Sequence, residues 1–487
     1  MRLTSRLEIA ITMLALVMMP LGCASDDEGE GTQRNLGGNG TGAEQGVDAN
    51  GNPIVGGQGG PGATGADGMP LQDLSGDTEM TDPFIWIANS TEGTVSKIDT
   101  RTMTELGRYL TSPNGSGFPS RTSVATSGAV AVANRGGISQ GWAGGIGGGT
   151  CFPGVPGCTP TMMPAGGGTE TGVTKIWSQT SDCEDHNGNG TIETSSGGTD
   201  ILPWGTDECV AWHTPLAEFS NRPVAWAPPS GPDGLETVWT AGATNCLQND
   251  CTWNVYRLNG HTGAIEDTVS FPGMSGMNFV NGSPMIVDNY GPYGGASDSA
   301  GNFWGFVANT THLFYVEAAT LKTATWPLPM ASGYGLTIGS KGRIFLCHTN
   351  GITRFDPATA SFTQSNSMLD LGYNGCMTDG DGTLWVGGGV DEGVAGLHSF
   401  DAETLEHLDS YEMGAVKGVS IDVDGMVWGV GGNGQNGNTG MTGDRAFKLN
   451  PADGSFETFT GLVGAYTYSD MTGFGLAQAG YVPVVLE

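Results

Sequence analysis

From Phe84 onward, short apolar runs centred on an aromatic side chain alternate with polar clusters. The runs are Ile85-Trp86-Ile87, Val238-Trp239-Thr240, Phe303-Trp304-Gly305, Ile344-Phe345-Leu346, Leu384-Trp385-Val386 and Val427-Trp428-Gly429. Short apolar runs bounded by turn residues read as buried strands. A second strand follows each run and ends in a turn: Asp99-Thr100-Arg101-Thr102, Asn259-Gly260-His261-Thr262, Glu317-Ala318-Ala319-Thr320, Asp356-Pro357-Ala358-Thr359, Asp401-Ala402-Glu403-Thr404 and Asn450-Pro451-Ala452-Asp453. An Asp or Asn leading such a turn accepts bonds from backbone amides two or three residues on, and Pro presets φ at the next position. A seventh, degenerate copy fits at Val130-Ala131-Val132-Ala133-Asn134 and Val173-Thr174-Lys175-Ile176. Asp381-Gly382 and Asp424-Gly425 sit before the strands of Trp385 and Trp428, where hairpin turns belong.

A repeat of about 40 to 50 residues built from short strands specifies a β-propeller, because each blade buries its faces only against its neighbours. The fold class read from the chain is therefore all-β, a seven-bladed β-propeller, with the aromatic residues filling the seams. The first copy lacks the strand that precedes the tryptophan strand elsewhere, such as Gly335-Leu336-Thr337-Ile338. Ser469 to Leu476 is the candidate replacement, a C-terminal strand that would close the ring and remove an exposed edge.

Ile85-Trp86-Ile87-Ala88-Asn89-Ser90 followed by Thr94-Val95-Ser96-Lys97-Ile98-Asp99 resembles the repeat of YVTN-type propellers, and the units at 335–359 and 379–404 are similar to those of streptogramin (virginiamycin B) lyases. The resemblance covers about residues 84–476. It implies the propeller fold, and for the lyases it implies histidines and glutamates with a magnesium ion near the axis. Those repeats carry an acidic residue just after the tryptophan strand. This chain has Asn89, Asn134, Asn309, His348 and glycines there, so only His348 carries over and no partner glutamate matches. A propeller hosts many unrelated functions, so the repeat fixes the fold more firmly than the activity.

Ahead of the propeller the pattern changes twice. Arg2 and Arg6 precede an apolar stretch from Ile9 to Met19, broken only by Thr12 and too short to span a bilayer. It ends at Pro20-Leu21-Gly22-Cys23, which resembles a bacterial lipobox in Gly22 and Cys23 and departs from it at Pro20 and Leu21. Residues 1–22 thus read as a lipoprotein signal peptide with lipid attachment at Cys23, the alternative being ordinary secretion. Either reading places the mature chain outside the cytoplasm, in the periplasm or at the cell surface. Residues 23–82 read as a Gly- and acid-rich tether without a core of its own. Inside it, glycine recurs at every third position from Gly56 to Gly68 for five triplets, too few and too poor in proline for a collagen helix. Residues 83–487 form the propeller, with a long insertion at about 136–220.

Composition narrows the partners. The 18 lysines and arginines face 50 aspartates and glutamates, a net charge of −32. Such a surface repels phosphate backbones, which excludes nucleic acid, and it offers no polybasic membrane patch. The remaining partner classes are a protein, a glycan or a small molecule, bound by a monomer that reaches the membrane through its N-terminal lipid.

Nine cysteines less Cys23 leave eight, an even number suited to an oxidising compartment. Local spacing suggests Cys151–Cys158, Cys246–Cys251 and Cys183–Cys209, leaving Cys347 with Cys376. Asp185-His186-Asn187-Gly188-Asn189-Gly190-Thr191-Ile192-Glu193 matches the start of an EF-hand-like calcium loop. Asp185, Asn187 and Asn189 supply side-chain oxygens, Thr191 a carbonyl, and Gly190 the sharp turn. Ser196 stands where the bidentate glutamate belongs, and Glu193, Asp200 or Asp207 could substitute. The other reading of these residues is a polar Asn-Gly turn that holds no ion. His186, His213 and His261 fall in loops or turns without a recognisable acid partner. Neither a nucleophile elbow nor a P-loop appears. Trp142, Trp177, Trp204 and Trp212 of the insertion either line a binding surface or pack it onto the blades. The leading reading is a binding module with no catalytic residues. The alternative is a metal-dependent lyase or lactone hydrolase with its site at the axis.

Overall fold

The computed structural model describes residues 82–136, 170–218, 221–229, 235–244, 252–271, 277–280, 283–286, 291–307, 312–329, 333–348, 351–365, 369–389, 393–431, 443–484 and 486. Cys23, Trp142, Asn309 and the pairs Cys151–Cys158 and Cys246–Cys251 lie outside them. Seven antiparallel sheets follow one another in chain order, six with four strands and the first with three. The innermost strands of blades 2 to 7 are Pro119–Val124, Val224–Ala227, Pro292–Ser297, Gly335–Ile338, Cys376–Thr378 and Gly418–Ile421. Each lies beside the next around one axis. An extra hairpin, Met277–Val280 with Ser283–Ile286, interrupts the chain between blades 3 and 4. Among the described residues no helix is long and apolar enough to cross a membrane.

The packing bears out the seven-bladed propeller. Among the described residues seven apolar clusters form, and each straddles one seam between adjacent blades. The seam between blades 7 and 1 joins Trp428 and Val430 to Ile85 and Ile87. Trp86, Trp239, Trp304 and Trp428 are buried, as an aromatic tier between blades requires. The turns behave as their chemistry dictates: the Asp99 and Asp401 carboxylates each accept the two amides two and three residues on.

Three tryptophan strands share a device the turn pattern alone did not suggest. Six residues before Trp304, Trp385 and Trp428 lie Asp298, Asp379 and Asp422. One carboxylate oxygen accepts the indole N–H, at 3.0, 3.2 and 2.8 Å respectively. The other oxygen accepts two amides of the intervening hairpin. The aspartates that organise these hairpins are thus Asp379 and Asp422, not Asp381 and Asp424 at the tips. Blade 5 replaces both partners together, with Gly339 and Phe345.

Ring closure follows the expected position but not the expected structure. Residues 465–473 occupy the missing innermost place of blade 1. The Trp86 amide donates to the Met471 carbonyl at 2.9 Å, and the Tyr466 amide to that of Ala88 at 3.0 Å. Ser469 Oγ bonds the backbone of Thr122 in blade 2, and Thr472 Oγ1 donates to the Ile421 carbonyl of blade 7. The segment makes one isolated bridge, Asn89 with Ala465, rather than a regular strand, and Phe474–Gln478 is a short helix. Serine and threonine side chains supply the bonds that a ladder would otherwise make.

Within the stretch at 136–220, Gly172–Ile176 and Val210–Pro215 are the third and outer strands of blade 2. The loop between these two strands is closed by the Cys183–Cys209 disulfide. It covers the outer edge of blade 1, where Ser195 Oγ accepts the Arg108 amide at 2.9 Å. The second disulfide, Cys347–Cys376, joins blades 5 and 6. Two disulfides point to an oxidising compartment outside the cytoplasm.

Candidate functional site

The two ends of the axis differ. At the end where the inner strands finish, Asp470, Gly475 and Leu476 of the C-terminal segment line a cavity of about 30 Å³ together with Ser123, Ala225 and Thr337. That is room for a water or two and no more. Asp470 is held above the usual carboxylate range by burial, although the amides of Gly473 and Leu476 bind it.

At the other end lies a ring of cations and phenols. The inner-strand residues opposite Trp239, Trp304, Phe345, Trp385 and Trp428 are Ala225, Ala296, Thr337, Met377 and Ser420. Three positions before them stand Arg222, Tyr293, Tyr334, Asn374 and Lys417, one from each of blades 3 to 7 at the same offset, Tyr293 at a bulge of its strand. Blade 2 adds Arg121 and Arg135, and the closing segment adds Tyr466 and Tyr468. Glycine follows four of the five register positions because the inner strands crowd there. A Cβ on Gly335 would meet the Asn374 carbonyl oxygen at 2.8 Å, and one on Gly418 would meet that of Thr467 at 1.9 Å.

All four cations of the ring are buried. The Arg121 guanidinium stacks 3.7 Å from the Tyr468 ring, Arg222 lies 4.7 Å from Tyr293, Arg135 4.6 Å from Tyr466, and the Lys417 ammonium 3.8 Å from Tyr334. Such contacts contribute up to about 2 kcal/mol each when desolvated. The Tyr466 hydroxyl bonds those of Tyr334 and Tyr293. Burial alone would raise its pKa, but Arg222 and Arg135 outweigh burial and bring it down to about 8. Burial and neighbouring phenols push Tyr293 and Tyr334 well up. Burial, then the Arg222 charge, pulls Arg135 down. Sequence reading missed this ring, since its members come from six blades and the C-terminal segment.

The EF-hand-like loop adopts a clasp on the surface. Asp185 accepts the amides of Gly188, Asn189 and Gly190, with Gly188 and Gly190 in the left-handed region at φ 71° and 85°. The Asn187 and Asn189 amides donate to the two oxygens of Glu193 at 2.7 and 2.8 Å. Asn189 Oδ1 accepts both the amide and the hydroxyl of Thr191. The backbone amides hold Asp185 below the usual carboxylate range, Gly190 foremost, and the two asparagines do the same for Glu193. Glu193 is therefore the carboxylate within reach of the loop. Asp207 instead bonds Thr194, Ser195 and Cys209, and Asp200 bonds Ser196. Glu208, buried beneath, accepts the amides of His186, Asn187 and Glu193. Among the described residues no three His, Cys, Asp or Glu side chains converge on a metal position, so any ion here would rest on asparagine oxygens as well as Asp185 and Glu193.

The remaining candidates are occupied structurally. His348 faces Thr353 Oγ1 at 3.3 Å, and burial lowers its pKa to about 4, so it is neutral near pH 7. Asn89 and Asn134 spend their amides on neighbouring side chains and carbonyls within blades 1 and 2. Trp177 stacks under Lys175 at 3.3 Å, Trp212 donates to the Gly260 carbonyl in the next blade, and Trp204 meets His213 edge-on. Trp177 and Trp212 pack against the seam between blades 2 and 3, and Trp204 holds the loop to the outer strand through His213.

No family model and no curated protein matches the chain. Solved structures share the propeller architecture at low identity. A functionally unknown protein from Desulfotomaculum acetoxidans is 10 % identical, with 80 % of this chain and 97 % of that one covered and a TM-score of 0.48. Virginiamycin B lyase from Staphylococcus aureus is 14 % identical, with 72 % and 87 % covered and a TM-score of 0.39. A protein of unknown function from Bacteroides caccae is 10 % identical, with 67 % and 93 % covered and a TM-score of 0.36.

Proposed function

We propose that the chain is an exported, lipid-anchored binding module that takes its ligand at the ring end of the propeller axis. The observation that carries this reading is the gathering of Arg121, Arg135, Arg222 and Lys417 among Tyr293, Tyr334, Tyr466 and Tyr468 at one end of the axis. Residues of the C-terminal segment line the opposite end, and His348 is buried and neutral against Thr353, so the binding reading is preferred to the lyase or lactone-hydrolase alternative. Lipid on Cys23 would hold the propeller at the membrane on its acidic tether, for a protein, glycan or small-molecule partner. In the test, virginiamycin B and simple lactones are incubated with the full chain and magnesium and should stay intact by mass spectrometry. Ring-opened product would overturn the binding reading. Cys23→Ser should release the protein from the membrane fraction, and continued membrane retention would overturn the anchor.

The Asp185–Glu193 clasp is proposed to hold a structural calcium ion through Asp185, Asn187, Asn189, the Thr191 carbonyl and Glu193. The Asn187 and Asn189 oxygens now accept the amides of Asn189 and Thr191, and an ion would share them while Glu208 holds the backbone from below. Chelator-free protein is expected to carry one calcium. Added calcium should raise the melting temperature of stripped protein by about 2–5 °C, and Asn187→Ala with Asn189→Ala should abolish the rise. Metal-free protein whose melting ignores calcium would defeat the proposal.

A further inference from the structure

Resting on the binding reading, we infer that the ring's ligand is a small oxyanion, a carboxylate or phosphoryl group, held by Arg121 and Arg135 among the ring tyrosines. The chain has 18 lysines and arginines in all, and four of them, Arg121, Arg135, Arg222 and Lys417, converge here. Elsewhere on the propeller arginines meet carboxylates, Arg108 with Glu92 and Glu105, Arg257 with Asp267, Arg343 with Asp356 and Glu403, while the buried Lys97 and Lys175 bond the carbonyls of Ser178 and Gly260. Arg121 and Arg135 do not among the described residues, yet they are only 1 % and 6 % exposed.

Their bonds to neutral partners are few. One Arg121 nitrogen donates to the Tyr334 carbonyl at 3.2 Å, and one Arg135 nitrogen to Ser90 Oγ at 2.8 Å. The Nε atoms of both have no acceptor, nor does the buried Tyr468 hydroxyl have a partner. Taking an ion out of water costs several kcal/mol after relaxation, more than a cation–π contact returns. Arg135 also feels the like charge of Arg222, a repulsion that an anion between them would reverse. A guanidinium presents a planar fork of donors that matches a carboxylate or phosphoryl oxygen pair. The ring phenols add hydroxyl donors and aromatic walls for the ligand's body. Because the rest of the surface is strongly acidic, an anion finds a favourable potential only inside such a lining.

The lowered Tyr466 ionisation gives a direct readout. In ligand-free full-length protein, one phenol should titrate near pH 8 by its near-ultraviolet phenolate band, and Tyr466→Phe should remove that step. An anion that neutralises the arginines should move the step upward by about one unit or more. Phosphate and succinate serve as probes, each against sodium chloride at matched ionic strength. At least one is expected to raise the melting temperature by several degrees, and Arg121→Gln and Arg135→Gln should each weaken that probe about tenfold. If neither probe differs from chloride and the Tyr466 step stays in place, the inference is overturned. That result with lactones still intact leaves the binding reading standing, whereas lactone opening overturns the binding reading itself.

Discussion

Ending the chain at Gly464 is expected to abolish cooperative folding, or to lower the melting temperature by about 15 °C or more. The segment removed is the innermost element of blade 1. Ala465, Tyr468 and Met471 are buried, and Met471 belongs to the seam between blades 7 and 1. Burying a Met or a large aromatic contributes about 1.5–3 kcal/mol each, so the lost side chains alone approach the 5–15 kcal/mol that typically separates folded from unfolded. Truncation would also leave the Trp86 amide and the Ala88 and Ile421 carbonyls in the interior without partners. Each such group costs about 1–3 kcal/mol. Deleting only residues 482–487 is the control, since it spares every one of these bonds and should lose only the packing of Val484 and Leu486 on the seam between blades 4 and 5. Scanning calorimetry on the two truncations separates ring closure from mere tail packing. A chain ending at Gly464 that melts within a few degrees of the parent would show that the ring does not depend on this segment.

The propeller was legible because its turns are chemical. Asp99 and Asp401 stand where their carboxylates catch two amides, and that requirement returns with every blade. Blade 2 was legible despite losing its aromatic, since Val130–Asn134 keeps a continuous apolar run. The closing segment was only half legible. Its position followed from the missing strand, but Ser469, Asp470, Thr472 and Gly473 carry no strand pattern. The Cys183–Cys209 and Cys347–Cys376 pairings followed from spacing and from the neighbouring strands of consecutive copies. For the calcium-like loop, sequence supplied Asp185, Asn187 and Asn189. It could not choose among Glu193, Asp200 and Asp207, because that choice depends on how the loop folds over Glu208.

The ring was present in the sequence as a signal of a different kind. In blades 4 to 7, Tyr293-Gly294, Tyr334-Gly335, Asn374-Gly375 and Lys417-Gly418 each stand eleven residues before the aromatic of the next strand. Aligning the repeats on that aromatic would have stacked the four pairs in one column. In blade 3 the hairpin is longer, so Arg222 falls out of step by sequence and returns to register only in three dimensions. Arg121 is displaced by a register shift at the start of its strand. An axial site is hard to read from one sequence for this reason: each blade contributes one residue, and irregular hairpins scramble the count.

The bond between Asp422 and Trp428 should appear as coupling in a double-mutant cycle. Asp422 Oδ2 accepts the indole N–H at 2.8 Å, and Oδ1 accepts the amides of Asp424 and Met426. Burial raises the Asp422 pKa, so the carboxylate is held by these donors against the cost of desolvation. Asp422→Ala orphans an indole and two amides and should cost about 2–4 kcal/mol. Trp428→Ala opens a cavity in the seam between blades 7 and 1 and should cost about 3–5 kcal/mol. Trp428→Phe keeps most of the ring volume and removes the donor, at about 1–2 kcal/mol. The informative variant combines Asp422→Ala with Trp428→Phe. It should cost less than the two single changes together, by about 1 kcal/mol or more, because phenylalanine leaves no N–H to orphan. Blade 5 already carries the equivalent pair in Gly339 and Phe345, with Phe345 buried in its seam, so the double change reproduces an arrangement this fold accommodates. Denaturant unfolding of the four proteins measures the cycle. Strict additivity would mean that the carboxylate serves the hairpin amides alone, and that the six-residue spacing of Asp and Trp in blades 4, 6 and 7 reflects turn geometry rather than a bond between them.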